Sequence, residues 1–121
     1  MISIVTKWWI KEGCEKAAKL ALTDLANQVE EKEPFTAMYL IHTSIVEGSL
    51  PSPAPNEVIF VGTWTDRAAF EKHLAGPVFK DWLALHIDNF IVNNDGSLYV
   101  NAEFVDRFTG FIRPSQVTPE A

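Results

Sequence analysis

Residues 57–90, EVIFVGTWTDRAAFEKHLAGPVFKDWLALHIDNF, predict a strand, a helix, a break and a second helix in succession. The first eight residues, Glu57–Trp64, are mostly β-branched or aromatic, which suits a largely buried strand. Thr65 offers a side-chain oxygen to the free backbone N–H groups of a helix that begins near Asp66, whose charge favours the positive end of the helix dipole. Gly76-Pro77 then interrupts the helical spacing. We call residues 57–90 the cassette, and the rest of the chain is expected to pack around it.

The segments on either side of the cassette supply the remaining elements of a small domain. Residues 2–10 alternate between two faces with period 2, which predicts a first strand. Residues 14–31 carry an apolar stripe at helical spacing, which predicts a first helix. The stripe consists of Ala17, Ala18, Leu20, Ala21, Leu25, Ala26 and Val29. Residues 35–46 predict a second strand with two apolar faces, and residues 98–108 predict a fourth strand after an Asn/Asp/Gly turn. The resulting order is β-α-β-β-α-β, with the second helix broken in two.

This order of elements defines the predicted fold class. Right-handed crossovers applied to it give an α+β, ferredoxin-like domain, with a four-stranded antiparallel sheet and its helices on one face. Because the second strand is apolar on both faces, the uncovered side of the sheet needs a cover of its own. We therefore expect a homodimer through the sheet faces, which closes a dimeric α+β barrel. The domain is predicted to span residues 1–108, followed by a C-terminal tail over residues 109–121 that contains Pro114 and Pro119.

Composition limits the classes of partner and the compartment. The formal net charge of −6 and the scattered basic residues argue against nucleic acid and against an anionic membrane. Eight Phe and four Trp in 121 residues favour oligomerisation or a small apolar or aromatic ligand. No apolar run reaches the roughly 20 residues that a bilayer span needs. The single Cys14 excludes an internal disulfide, and the opening residues lack a leader pattern, so a cytoplasmic protein is expected.

The usual signatures of catalysis and cofactor binding are missing from the sequence. His42, His73 and His86 are far apart, and the six glycines never cluster, so neither a metal site nor a phosphate or dinucleotide loop is predicted. We expect no metal and no cofactor. The acidic run at residues 30–33 is expected to be solvated, and no close pair of acids is nominated.

Two side chains of the cassette are the candidate catalytic residues. Trp64 ends a strand where it meets a helix, so its indole N–H can donate to a ligand oxygen while the ring stacks on a flat substrate, or the ring can simply seal the core. His73 shares a helical side with Phe70 and Leu74. It is therefore either an inward-facing acid, base or hydrogen-bond donor or an ordinary packing residue.

A wider set of apolar and aromatic side chains forms the candidate substrate surface. His42 shares its strand face with Met38 and Leu40, so it is expected to point into an apolar layer, with a structural role as the alternative. An aromatic stripe at helical spacing more often belongs to the core than to a cavity, so periodicity leaves the facing of these residues open. The candidate substrate-binding residues are Met38, His42, Phe60, Phe70, Phe79 and Trp82.

The run EVIFVGTWTDRAAFEKHLAGPVFKDWL resembles the core of the antibiotic biosynthesis monooxygenase (ABM) family. In that family a strand ending in Trp leads to a helix with F-x-x-H, then a short break and x-x-F-x-x-(W/F). The opening MISIVTKWWIKEGCEKA is also similar to the family's first strand and Gly-started helix, so the likeness covers roughly residues 1–108. The residues that match the motif are Trp64, Phe70, His73, Phe79 and Trp82.

The resemblance implies a dimeric α+β barrel that oxygenates quinols or polycyclic aromatics without metal, flavin or nicotinamide. Trp64 would line the cavity and His73 would be the polar group nearest the substrate. The haem-degrading branch of the fold has its axial His at about the place of Leu83 and a Trp at the place of His73, so haem degradation is disfavoured. Quinone-forming members place polar groups around the Trp, whereas this chain has Phe60 and Phe70 there.

Three functions remain open on the sequence. The first is a cofactor-independent monooxygenase acting on a small hydroquinone or polycyclic aromatic substrate, with Trp64 and His73 as its catalytic residues. The second is a non-catalytic dimeric barrel that binds an apolar metabolite in the same cavity. The third is an isomerase or cyclase of the same fold, in which His73 or His42 moves protons.

Overall fold

The computed structural model describes residues 1–117, and its elements follow the predicted order. The part of the predicted tail beyond residue 117, including Pro119, lies outside the described residues. No helix within residues 1–117 has both the length and the hydrophobicity that crossing a bilayer requires. The elements are β1 (Ile2–Trp9), α1 (Glu15–Lys32), β2 (Thr36–Thr43), β3 (Glu57–Trp64), α2 (Arg67–Ala75), α3 (Pro77–His86), a 3-10 turn (Ile87–Asn89), β4 (Asn101–Asp106) and α4 (Pro114–Val117).

The four strands form one antiparallel sheet in the order β2-β3-β1-β4. In its central pair, Ile4 lies opposite Gly62 and Thr6 lies opposite Phe60. Strands β1 and β2 are connected through a helix and have β3 between them in the sheet, and strands β3 and β4 are connected through helices and have β1 between them. This order is the ferredoxin-like arrangement, and the predicted α+β fold class is confirmed.

The core lies between one face of the sheet and helices α1 and α3. Strand β1 contributes alternate residues such as Ile4 and Trp8, as its period-2 pattern predicts. The predicted stripe of α1 is wrong at three positions, because it included Ala17 and Leu20, which are exposed, and omitted Leu22, which is buried. The buried residues of α1 recur at intervals of three and four, which is the spacing of one helical face. They are Ala18, Ala21, Leu22, Leu25 and Val29.

The predicted bounds of two strands were too wide. The second strand was predicted over residues 35–46, but β2 covers Thr36–Thr43 and has an irregularity between Thr36 and Met38. The fourth strand was predicted to start at residue 98, but β4 starts at Asn101. Leu98 instead forms an isolated bridge to Val92, because the turn between them closes its own short hairpin.

Asp66, and not Thr65 as predicted, caps helix α2. The Asp66 backbone is extended, and its carboxylate accepts a hydrogen bond from the Ala69 N–H at 2.9 Å. The break after α2 falls at Gly76, where a β-carbon would lie 2.8 Å from the Lys72 carbonyl oxygen. Pro77 then opens α3 at a position where its missing N–H costs nothing.

We expect Asp66→Ala to lower the free energy of unfolding by about 1 kcal/mol, because it removes the acceptor for a free N–H of the first turn. Thr65→Ala is the matched control and should change the free energy of unfolding by only a few tenths of the amount expected for Asp66→Ala. Urea denaturation of the two variants makes the comparison, and equal losses would contradict the assignment of the cap.

The other face of the sheet carries the alternate side chains of the same strands. Ser3 and Thr63 are buried there and share a hydrogen bond of 2.9 Å between their hydroxyls. The residues around this pair are apolar and only partly buried, which agrees with the two-sided pattern read from the second strand. They include Val5, Trp9, Met38, Leu40, Ile59, Val61 and Val105.

Candidate active site

A cavity of about 370 Å³ lies between the helix-facing side of the sheet and helices α2 and α3. Strands β1 and β3 both present alternate residues to it, which is why residues two apart in the sequence recur in its wall. The lining residues are Ile4, Thr6, Trp8, Tyr39, Phe60, Gly62, Trp64, Phe70, His73, Leu74, Phe79, Leu83, Leu98, Val100, Ala102 and Phe104. Almost all of them are apolar or aromatic, so the cavity suits an apolar, aromatic ligand.

The cavity opens between α2 and β4. Leu74, Val100 and Phe104 line it and are each at least one third exposed, so they form its rim. Phe70 meets Phe104 edge-on across this opening, with ring centroids 5.4 Å apart. The Arg67 guanidinium lies over the outer part of the same rim, 4.2 Å from the centroid of the Phe104 ring.

Gly62 makes room for the indole of Trp64. The two residues are neighbours on one face of β3, and a β-carbon on Gly62 would lie 2.3 Å from the far end of the Trp64 ring. Two carbon atoms that are not bonded to each other cannot approach so closely. The absence of a side chain at residue 62 therefore allows the indole to lie flat along the strand in the cavity wall.

A chain of hydrogen bonds runs behind the cavity wall. The Trp64 indole N–H donates to the Thr36 hydroxyl at 2.9 Å, and that hydroxyl donates to Glu33 Oε1 at 3.1 Å. His73 Nδ1 lies 2.6 Å from the same carboxylate oxygen. Glu33 and His73 are each only 4% exposed. The two candidate catalytic residues are therefore joined through Thr36 and Glu33.

The burial of Glu33 corrects the prediction that the acidic run is solvated. Glu33 terminates α1, where its backbone N–H donates to the Val29 carbonyl, and the Thr36 N–H donates back to the Glu33 carbonyl. This tight turn directs the carboxylate towards α2 instead of towards solvent. Forty positions separate Glu33 from His73, so no local pattern in the sequence indicates the pair.

The distance between His73 and Glu33 restricts where the shared proton lies. The 2.6 Å between Nδ1 and Oε1 is a hydrogen-bond distance, and an ionised Glu33 can only accept, so beside the carboxylate a neutral His73 donates through Nδ1–H and keeps the lone pair of Nε2. Nε2 has no hydrogen-bond partner among residues 1–117, yet every fully buried polar side-chain atom of those residues has one. Nε2 therefore reaches open space, and the cavity is the open space that His73 lines.

Tyr39 is a polar residue of the cavity that was not among the predicted site residues. Its ring lies edge-on to His73, with centroids 5.3 Å apart, and its hydroxyl makes no hydrogen bond within the described part of the chain. Burial, and then the negative charge of Glu33, raise the pKa of Tyr39 above its usual value. The hydroxyl consequently stays protonated and is available as a hydrogen-bond donor to a ligand oxygen.

The raised pKa of Tyr39 predicts a loss of stability in alkali. Above about pH 10 the unfolded chain releases this proton while the folded chain keeps it, so the free energy of unfolding falls by up to ~1.4 kcal/mol per pH unit. Tyr39→Phe should flatten that slope, whereas Tyr99→Phe, at a half-exposed position, should not. Urea denaturation from pH 9 to pH 11 gives the slopes, and equal slopes in both variants would contradict the assignment.

The structure brings five of the eight predicted site residues to the cavity: Trp64, His73, Phe60, Phe70 and Phe79. The Trp64 ring lies 5.0 Å from Phe70 and 5.3 Å from His73, measured between centroids. These residues come from one strand and two helices of the cassette, which places the candidate site where the strand meets the broken helix.

The other three predicted site residues lie away from the cavity. Met38 and His42 occupy the opposite face of β2, and His42 is exposed there, with Nδ1 3.1 Å from the Ile59 carbonyl. Trp82 is buried in the core, where its indole N–H donates to the Ala21 carbonyl of α1 at 2.7 Å. Across residues 1–117, no three His, Cys, Asp or Glu side chains are grouped so that they could hold a metal ion.

Comparison with protein families gives one match. The profile described as antibiotic biosynthesis monooxygenase matches residues 1–85, which includes β1 to β3, α2 and most of α3. No curated protein sequence matches the chain.

Solved structures with the same fold are numerous. A crystal structure of an antibiotic biosynthesis monooxygenase has a TM-score of 0.70 and 17% identity, covering 90% of this chain and 100% of the other. A variant of SnoaB, a cofactor-independent oxygenase from Streptomyces nogalater, has a TM-score of 0.67 and 12% identity, covering 93% and 97%. A protein from Shewanella oneidensis has a TM-score of 0.64 and 24% identity, covering 86% and 89%. At these identities the likeness establishes the fold alone.

Proposed function

Since the chain belongs to the antibiotic biosynthesis monooxygenase family, we propose that it is a cofactor-independent monooxygenase that oxidises a small hydroquinone or polycyclic aromatic substrate. The observation that carries this proposal is the aromatic cavity in which His73 Nε2 is open and the Trp64 indole is held by Thr36. The description of SnoaB, a protein of the same fold, as a cofactor-independent oxygenase supports the same reading.

The proposed reaction needs no external reductant. When an activated CH₂ of a polycyclic substrate becomes C=O, one atom of O₂ enters the product and the other leaves as water with the two hydrogens. The carbon supplies all four electrons that O₂ accepts. The protein's task is to exclude water, to orient the substrate and to favour its deprotonated, electron-rich form.

The cavity residues divide this task between them. We propose that the aromatic wall to which Trp64, Phe60 and Phe70 contribute packs against the substrate rings, with the indole of Trp64 as the stacking surface and Phe70 edge-on to it. His73 is the polar group nearest the reacting part of the substrate, and Tyr39 donates to a substrate oxygen. Phe60 and Phe70 stand where quinone-forming relatives have polar groups, which favours a substrate with few polar substituents.

Oxygen uptake with a panel of hydroquinones and anthrones, with and without added metal or flavin, tests the proposal. We expect consumption without additives, reduced about 100-fold or more by His73→Ala and clearly reduced by Trp64→Phe. His42→Ala is the matched control, because His42 lies on the other sheet face, and it should keep the wild-type rate. No uptake by the wild type, or unchanged turnover in both cavity variants, refutes a monooxygenase, and binding without turnover favours the metabolite-binding alternative.

We also propose that the protein is a homodimer. In it, the sheet face that the helices leave uncovered, which we call the outer face, packs against the same face of a second subunit. The partly buried apolar residues of that face support this pairing, since an uncovered apolar sheet face is unfavourable in water. Sedimentation at micromolar concentration is expected to give a dimer, and a monomer under these conditions would refute it. Leu40→Lys, at the middle of β2 on this face, should shift the equilibrium towards monomer by placing an unpaired charge in the interface.

A further inference from the structure

We propose that Glu33 and His73 form a proton-transfer pair that removes a proton from an acidic C–H or O–H group of the substrate, in a step that does not use oxygen. Glu33 is the positioning residue and His73 Nε2 is the base. This inference rests on the proposed function only in using the same cavity and the same class of aromatic ligand. It assigns a separable activity, the enolisation of polycyclic ketones and the ionisation of phenols.

The contacts of Glu33 fix the orientation of His73. Glu33 Oε1 accepts from both His73 Nδ1, at 2.6 Å, and the Thr36 hydroxyl, at 3.1 Å. The imidazole is thereby held in the tautomer that carries its proton on Nδ1. Nε2, on the opposite side of the ring, keeps its lone pair free in the cavity that His73 lines. A base must have such an open lone pair within reach of the substrate proton.

The charge of Glu33 lowers the free-energy cost of protonating His73 in an apolar cavity. An isolated imidazolium among aromatic side chains would lose its hydration without compensation. Glu33 lies at hydrogen-bond distance, and both groups are almost completely buried, so the protonated base and the carboxylate form a pair with no net charge. The pair can therefore hold the substrate proton without leaving an uncompensated cation.

A purely structural ion pair explains the arrangement less well. The turn after α1 is already closed by backbone hydrogen bonds from Glu33 to Val29 and from Thr36 to Glu33, and α2 has its own cap at Asp66. Buried ion pairs add little to stability, because desolvation offsets most of the attraction. A pair needed only for packing would also gain nothing from an open nitrogen that faces the cavity.

The step conserves atoms and electrons. For a cyclic ketone with an acidic CH₂, the C–H bond breaks, its electron pair moves into the ring system and onto the carbonyl oxygen, and the proton forms a bond to His73 Nε2. The Tyr39 hydroxyl, which its surroundings keep protonated, is available to donate to the enolate oxygen. Return of the proton restores the ketone or gives the enol. Nothing is oxidised or reduced, so the step is measurable in the absence of oxygen.

Deuterium exchange into anthrone under argon tests the pair directly. Wild-type protein in D₂O should accelerate exchange of the CH₂ protons above the buffer rate, measured by mass spectrometry. His73→Gln should reduce the acceleration about 100-fold or more, and Glu33→Gln should reduce kcat about tenfold with little change in KM, part of the factor of about 10²–10⁴ that general-base catalysis supplies. Glu57→Gln removes another buried carboxylate, paired with Lys7 on the other sheet face, and should leave the exchange rate unchanged.

A spectroscopic measurement on the wild type keeps the test valid if Glu33→Gln does not fold. The ring ¹⁵N shifts of His73 should show the proton on Nδ1 and an unprotonated Nε2 when the imidazole is neutral. A proton on Nε2 instead would overturn the inference. So would an exchange rate no faster than buffer with anthrone bound, or an exchange rate in folded Glu33→Gln equal to the wild-type rate.

The same samples separate this inference from the proposed function. Exchange under argon without oxygen uptake in air would support the proton-transfer pair and refute the monooxygenase. Oxygen uptake in air without accelerated exchange under argon would refute the pair and leave the monooxygenase standing.

Discussion

Replacing Gly62 with alanine is expected to destabilise the protein strongly and to disrupt the candidate site. The new methyl group would lie 2.3 Å from one carbon of the Trp64 ring and 2.6 Å from the next, so the indole has to move. Overpacking of this kind costs about 1–3 kcal/mol. The indole cannot move freely, because its N–H is bonded to Thr36, and an indole N–H left buried without a partner costs a further ~1–3 kcal/mol.

A double-mutant cycle isolates this steric conflict. The atoms that clash belong to the six-membered ring of the indole, which a phenylalanine at position 64 would not carry so far along the strand. Gly62→Ala/Trp64→Phe should therefore be much less destabilised than the sum of the two single variants. Urea denaturation supplies the four free energies. Additive losses would contradict the close approach of the indole to Gly62.

Trp8→Ala is expected to have an effect of similar or greater size. The Trp8 side chain is 4% exposed, and its ring centroid lies 4.3 Å from that of Phe60 and 5.4 Å from that of Phe90. Phe79 and Trp82 also contact it, at centroid distances of 6.0 and 5.9 Å. Truncation of such a residue costs about 3–5 kcal/mol, because the surrounding rings cannot collapse into the space left behind.

The adjacent Trp9 provides the matched control. It points to the other sheet face, is only partly buried and has one aromatic neighbour within residues 1–117, Tyr99, at 5.3 Å. Trp9→Ala should cost much less than Trp8→Ala when both are measured by urea denaturation at the same protein concentration. If the two variants lost equal stability at every concentration, the assignment of Trp8 to the core and Trp9 to the outer face would be wrong.

The fold could be predicted from the sequence because its signals are local and periodic. The alternation at residues 2–10 and the β-branched run of Glu57–Trp64 identified two strands, the first one residue too long, and Gly76-Pro77 marked the helix break within one residue. The errors fell where neighbouring groups compete for one role. Thr65 and Asp66 are both good caps in isolation, and only the backbone conformation of the folded chain decides between them.

The candidate site could be predicted only in part, because its polar half depends on contacts between distant residues. Trp64 and His73 are visible in the sequence, since both sit in the cassette with a recognisable spacing. Glu33 joins His73 across forty positions and lies in a run of charges that is otherwise solvated, so nothing near it in the sequence distinguishes it. Gly62 is different. A glycine inside a strand, two residues before a Trp on the same face, is a readable sign of close packing.

The pairing of β4 has a consequence for how the cavity exchanges its contents. Among the described elements this strand pairs only with β1, and five of its six residues are exposed. Ala102 and Phe104 nevertheless form part of the cavity wall. Edge strands with few buried contacts open locally at a free-energy cost well below that of global unfolding. The β4 side of the cavity opening is thus expected to be the part of the sheet that opens most readily. A ligand can therefore enter or leave when β4 opens locally. This opening leaves the Glu33–His73 pair, at the opposite edge of the sheet, undisturbed.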